Sequence, residues 1–427
     1  MAEYKKRQSK KVKLNKKRSV RRPAQKPERI QMSHTTKKQT SAPRKTQGES
    51  KANRYRVLQN RQLKKRTVWI SGAAFLLLVL LVFQLALPTG IIESLQNSYA
   101  LNATNGSGCD SLMGTSFLQM NARYGRIDLL SGAYYEVYNK KGGTAYTVQH
   151  GYSAPVMATS AARTLIFERD GTELSVYNLS KQQQQITVDG KLYTASISRG
   201  GKVAVAYKSN DYLSVVEVYT KRSQILFTQN FSNEYVTSLS LNSSGRYLTV
   251  ATLFAKGGIY HSNLYLFDVK KQKQVLKTAY ENMFFTASES LGNGSVLSVS
   301  YDKAVIVFPG KKTMEELDIP EKISNYSVSS NNTIAFVCNQ TNNTIDNKIR
   351  LYNKRGKLKT ELDFVGTING FSVSNTHIYI LSDDILHIYR IKDLKHTQEE
   401  FPNAQLLAAF RGGAAAISNS KLQITKQ

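Results

Sequence analysis

The groups in this 427-residue chain best suited to acid–base work are three adjacent carboxylate pairs, Glu315-Glu316, Asp383-Asp384 and Glu399-Glu400. A glycosidase needs two carboxyls roughly 5 to 10 Å apart in unlike environments. Adjacent acids beside polar turn residues do not meet that requirement, because there they are simply solvated. The histidines after the first hundred residues, His150, His261, His377, His387 and His396, have none of the spacings that assemble a metal site. His377 and His387 are expected on neighbouring strands. Cys109 and Cys338 lie far apart in sequence, and no pairing follows from their positions. No catalytic residue, metal ligand or cofactor-binding residue is assigned, and the chain is read as not an enzyme.

The elements that would have to position such groups are short and repeated. An alternating apolar segment ends on a Tyr or Phe and runs into a polar, often basic, turn: YYEVYNKKG at Tyr138, LSVYNLSKQ at Tyr177, VVEVYTKRS at Tyr219 and LYLFDVKKQ at Phe267. VIVFPGKKT at Phe308, IRLYNKRGK at Tyr352 and LHIYRIKDL at Tyr389 continue the series, at intervals of 39, 42, 48, 41, 44 and 37 residues. Before these segments stand alternating pairs split by a turn, as in VTSLSLNSSGRYLTVATLF and ASISRGGKVAVAYKS. The Gly and Asn of those turns tolerate the positive φ that tight hairpins need.

A period near 40 with three or four short strands is the pattern of a β-propeller blade. The chain is therefore predicted to be all-β after residue 115, with about eight four-stranded blades favoured over seven. A strand from residues 95 to 115 is expected to complete the partial last unit, QLLAAFRGGAAAISNSKLQITKQ. The recurring Tyr and Phe are expected to pack between blades.

The phrases NSSGRYLTVAT and LYLFDVKKQK resemble those of WD-repeat and YVTN-like propellers, without the Gly-His and Trp-Asp signatures. The layout as a whole resembles an uncharacterised family of single-pass, membrane-anchored, propeller-like proteins of Gram-positive bacteria. That resemblance implies a shape and a location, and brings no catalytic residues with it. Quinoprotein propellers rely on several tryptophans, whereas the one Trp here is Trp69, and Arg169-Asp170-Gly171-Thr172 is a hairpin turn without the Trp of a sialidase Asp box.

Val68 to Leu87, VWISGAAFLLLVLLVFQLAL, carries no charge. About 20 such residues, at 1.5 Å each, cross a hydrocarbon core of roughly 30 Å. Residues 67–88 are thus expected to form a transmembrane signal anchor, with Trp69 at the headgroup level. The 66 residues before it hold 24 of the 59 basic side chains and only Glu3, Glu28 and Glu49 among the acids. Arg61, Lys64, Lys65 and Arg66 abut the span, so the N-terminus is expected inside and the long C-terminal part outside. Residues 1–66 read as a disordered basic tail and 89–114 as a spacer.

The predicted function is a noncatalytic propeller displayed outside the cytoplasm, serving as scaffold or accessory subunit of a cell-envelope complex. Its expected partners are the lipid bilayer and a membrane or envelope protein. An alternative is a receptor for an anionic cell-wall polymer or glycan, with Lys270, Lys271, Lys311, Lys312, Lys354 and Arg355 as its basic face. A hydrolase is a remote third reading, and nucleic acid is not an expected partner, since the tail lacks interleaved aromatics.

Overall fold

A computed structural model describes residues 67–79, 97–99, 101–102, 112–340 and 343–427. From Phe117 onward the alternating segments pair as eight antiparallel sheets, seven with four strands and the last with three. They form blades 1 to 8, at residues 117–149, 155–187, 191–231, 235–281, 285–316, 322–365, 370–400 and 404–426. Each blade is a simple meander in chain order. The eight-bladed count agrees with the sequence-derived preference.

The expected hairpins form where glycine supplies positive φ, at Gly201 (83°), Gly245 (65°) and Gly294 (86°). The recurring aromatics mark a second regularity. At Tyr138, Tyr177, Tyr219, Phe267 and Tyr352 the pairing of third and fourth strands slips by a bulge. All five rings are at most 6% exposed. A bulge bends and twists its strand, and here it falls at the same point of five blades.

Packing is between blades, as expected of those aromatics. Eight apolar clusters occur, each drawing residues from two neighbouring blades, so that every seam of the ring has one. First strands of neighbouring blades lie side by side around the centre at seven of the eight seams. They are stitched where a side chain of one accepts a backbone N–H of the next: Ser196 from Leu241 (3.1 Å), Ser327 from Val373 (3.1 Å), Ser372 from Ala409 (2.8 Å) and Gln119 from Met157 (2.6 Å). The polar inner strands thus have a structural use.

Among the described residues the eighth sheet has three strands, and 97–99 and 101–102 are helical, while residues 103–111 of the expected completing strand lie outside the described residues. The described closure is by apolar area: Ala408, Phe410, Ala415, Ile417 and Leu422 of blade 8 pack on Ala122, Ile127, Leu129 and Tyr138 of blade 1. Part of the stretch read as spacer belongs to the ring surface. The Asn97 amide, 7% exposed, donates to the Ala162 carbonyl at 2.7 Å, and the Leu101 carbonyl accepts from the Asn139 amide at 3.3 Å.

Residues 67–79 are a helix exposed along its whole length. Among the described residues no helix is long and apolar enough to cross a membrane. The remainder of the expected span, residues 80–88, and the tail, residues 1–66, lie outside the described residues.

The seam between blades 1 and 2 also buries a charge pair. Arg126 Nε donates to Asp128 Oδ2 at 2.8 Å, and Tyr135 Oη and Thr164 Oγ1 donate to Asp128 Oδ1 at 2.6 and 2.9 Å. All four side chains are at most 2% exposed. Removing one partner of such a pair leaves an uncompensated buried charge. Asp128→Ala should therefore lower the unfolding free energy by about 3–5 kcal/mol in denaturant titrations of the full chain, while Arg126→Met with Asp128→Leu should regain most of it.

Candidate functional site

Three regions of the ring have the geometry to bind something: its central channel and its two ends. Because the inner strands run side by side, the turns after first and third strands fall at one end. Turns after second strands and the crossovers between blades fall at the other. Contacts at the first end bear this out: Lys140 Nζ reaches the Arg411 carbonyl (3.4 Å), Lys202 Nζ the Gly245 carbonyl (3.0 Å), and the Asn293 amide the Lys354 carbonyl (3.5 Å).

The six basic residues singled out from the sequence all lie at this first end and are all exposed. Lys270 and Lys271, Lys311 and Lys312, and Lys354 and Arg355 occupy the third-to-fourth-strand turns of blades 4, 5 and 6. The equivalent turns of blades 1, 2, 3 and 7 add Lys140, Lys141, Lys181, Lys221, Arg222, Lys392 and Lys395. With the first-to-second turns counted, the turns of this end hold 21 Lys and Arg, of which Arg123, Arg126 and Arg163 are buried, against one acid, Asp393. The turns and crossovers of the opposite end hold nine acids against Arg169 and Lys303, with Lys256 and Lys322 at adjoining strand ends. A net balance that looks modest along the chain is thus strongly polarised along the ring axis. Trp69, the membrane-interface candidate, lies on the 67–79 helix and is 80% exposed, whereas Arg61, Lys64, Lys65 and Arg66 are outside the described residues.

The acidic end has a relief of its own. Blade 4 extends its second and third strands, Tyr247–Lys256 and Ile259–Asp268, to ten residues each, and blade 6 does so with Asn343–Tyr352. The matching strands of blade 5, Val296–Ser300 and Ala304–Phe308, have five. At roughly 3.3 Å per residue the hairpin of blade 4 stands about 15 Å beyond blade 5, whereas in blade 6 only the third strand is long, its partner Ile334–Gln340 having seven residues. Apolar side chains collect around this step: Tyr235, Ile259, Tyr260, Phe284, Tyr301, Ile345 and Val365 are 42 to 74% exposed. The ring's other large exposed apolar residues, Leu118, Ile225 and Leu358, are scattered singly. Lys322 lies 5.4 Å over the Tyr301 ring and pairs with Asp302.

The channel holds a cavity of about 930 Å³ along the inner strands of blades 1 to 5. Its wall is rich in hydroxyls, among them Ser196, Ser238, Ser240, Ser288 and Ser290. Towards the basic end Arg123 of blade 1 crosses the ring to pair with Glu289 of the opposite blade 5 and donates to Asn332 Oδ1 of blade 6 at 3.1 Å. Burial raises the Glu289 carboxyl pKa and the Arg123 guanidinium opposes that rise. No sequence pattern announced this pair, whose members stand 166 positions apart.

The groups first considered for chemistry are dispersed. Glu315 pairs with Lys311 at 3.5 Å and Glu316 with Lys303 at 2.7 Å, while Asp383 and Asp384 form a positive-φ turn (46° and 65°). Glu399 accepts from Thr425 at 2.8 Å. Cys338 is buried with its thiol free and pushed up to about 12 by burial; Cys109 lies outside the described residues. Among the described residues no cluster of three metal-ligating groups exists.

A profile of a family of unknown function, DUF5711, matches residues 130–418, which run from blade 1 into blade 8. The chain belongs to that family. No curated protein matches this DUF5711 chain. Among solved structures, BamB from Moraxella catarrhalis is similar over 76% of this chain and 100% of its own, with 11% identity and a TM-score of 0.50. At that identity the likeness establishes the propeller fold, and since 868 chains match, it does not by itself select a role.

His377 and His387 do lie on adjacent strands of blade 7, yet the histidine that meets His387 is His396 on the next strand, Nδ1 to Nε2 at 3.1 Å. Burial and then His396 hold the His387 imidazole below its ordinary range; burial and then Arg390 do the same to His377. With folded-state values depressed, the unfolded chain binds protons more readily, so stability is lost as pH falls through about 6.5. Thermal melts of the full chain should be flat from pH 8 to 7 and drop below that, and His387→Gln should remove much of the slope.

Proposed function

We propose that this chain is a noncatalytic propeller, held by a single signal anchor outside the cytoplasm, which serves as a scaffold or accessory subunit of a cell-envelope protein complex. The observation that carries the reading is the aromatic step at the acidic end of blades 4 to 6. Seven of the ring's ten exposed large apolar side chains gather there, Tyr and Phe among them, rimmed by polar and acidic groups. Clustered exposed aromatics within a polar rim are the composition of a protein-binding surface. The anchor rests on the uncharged Val68 to Leu87 run, and the orientation on the basic residues that precede it. The likeness to BamB supports the shape of such a subunit and nothing more specific.

Crosslinking mass spectrometry on native membranes tests this directly. A protein partner should crosslink around the step, and Tyr260→Glu with Tyr301→Glu should cut its yield by about tenfold, the equivalent of roughly 1.4 kcal/mol. The ring should melt at an unchanged temperature, both side chains being half exposed. A partner recovered equally well with the double variant would overturn the assignment of this surface, and the absence of any protein partner would overturn the scaffold reading.

A further inference from the structure

The polarised ring and the place where the chain first touches it are independent observations that point the same way. Among the described residues Asn97 and Leu101 are the first seated on the propeller, and they contact Ala162 and Asn139, both in turns of the basic end. Ten residue steps separate Leu87, where the uncharged run stops, from Asn97. Such a stretch reaches about 35 Å at most. The leash therefore joins the basic end itself.

We propose that the basic end of the ring is a docking surface for the anionic headgroups of the bilayer that holds the chain, which turns the aromatic step of blades 4 to 6 away from the membrane. The inference rests on the reading of residues 67–88 as a span. The distribution of charge favours a planar surface over a polymer strand. All eight blades contribute basic turn residues, blade 8 a single one, Arg411, so the charge is spread around a circle and not gathered in a groove. The third-to-fourth turns contain no aromatic residue on which a sugar ring could stack, and Tyr124, the aromatic of the first-to-second turns, is partly buried with Arg123 over its ring. A lipid surface needs neither groove nor stacking platform, only many cations within a Debye length of it.

The test uses the full chain in nanodiscs of neutral or anionic lipid containing a headgroup-attached quencher, in a Cys109→Ser background. One fluorophore is placed at Gly310→Cys, at the basic end, and another at Gly151→Cys, at the acidic end; a side chain at either glycine meets nothing within 4 Å. In anionic discs the label at 310 should be quenched several-fold more than that at 151. That difference should shrink in neutral discs, and also between about 0.1 and 1 M salt, where the Debye length falls from about 10 to about 3 Å. Reversal of Lys270, Lys271, Lys354 and Arg355 to Glu should abolish it without moving the melting temperature.

Equal quenching of both labels, or stronger quenching at 151, overturns the proposal. So does a difference indifferent to lipid charge and to reversal, which would be the leash acting alone. If polyphosphate in neutral discs binds the chain and the reversed variant does not bind it, while lipid charge has no effect, the occupant is an anionic polymer and the proposal fails. Release of the chain from the discs by an alkaline wash overturns the span, and this inference with it. Retention with unresponsive quenching overturns this inference alone.

Discussion

What holds this molecule together is the burial of apolar area between blades, repeated at every seam of a closed ring. A single four-stranded meander has two faces and cannot cover either by itself. Standing next to a copy of itself, it covers one, and only a circle leaves no blade half-bare. Each medium or large side chain removed from water contributes on the order of 1.5–3 kcal/mol. The clusters have eight or more buried members at all but one seam, so the ring is stabilised many times over. The seam that differs, between blades 1 and 2, has six, and it is also where Arg126 and Asp128 are buried. There, polar satisfaction supplements apolar area and fixes how the two blades face each other.

Everything that bears on function is arranged by that circle. Since the inner strands are parallel neighbours, chemistry that recurs at one point of a repeat must recur at one end of the ring. The polar turn after each third strand is the clearest case: a minor local habit of the sequence, summed over seven blades, becomes one charged face. The aromatic step arises in the opposite way, from an irregularity, since only blades 4 and 6 have lengthened strands around a shorter blade 5.

The repeat itself was legible because its physical causes are local. Alternation, Gly-rich turns and the Tyr or Phe ahead of each basic turn all lie within a dozen residues of one another, and the strands appear where those cues stand. The buried position of Tyr138, Tyr177 and Tyr219 followed from the same pattern. Closure was not legible, because a last blade sealed by Phe410 and Ile417 against Ile127 and Leu129 depends on contacts between the two ends of the ring. The Arg123–Glu289 pair has the same origin, since only the diameter of the finished ring decides which turn faces which strand. The segregation of charge was half legible: the basic turns could be seen, but the acid-rich crossovers belong to no motif and acquire meaning only once both ends exist.

The seat of Asn97 against blade 2 has a mechanical side. Tension along the segment that precedes it enters the ring at the boundary of blades 1 and 2, where the amide clasps Ala162 and Leu101 lies among the apolar residues of that boundary. The closure between blades 8 and 1 lies on the far side of blade 1. A pull on the leash is thus borne by the boundary with the smallest apolar cluster, the one that carries the buried ion pair, and not by the closure.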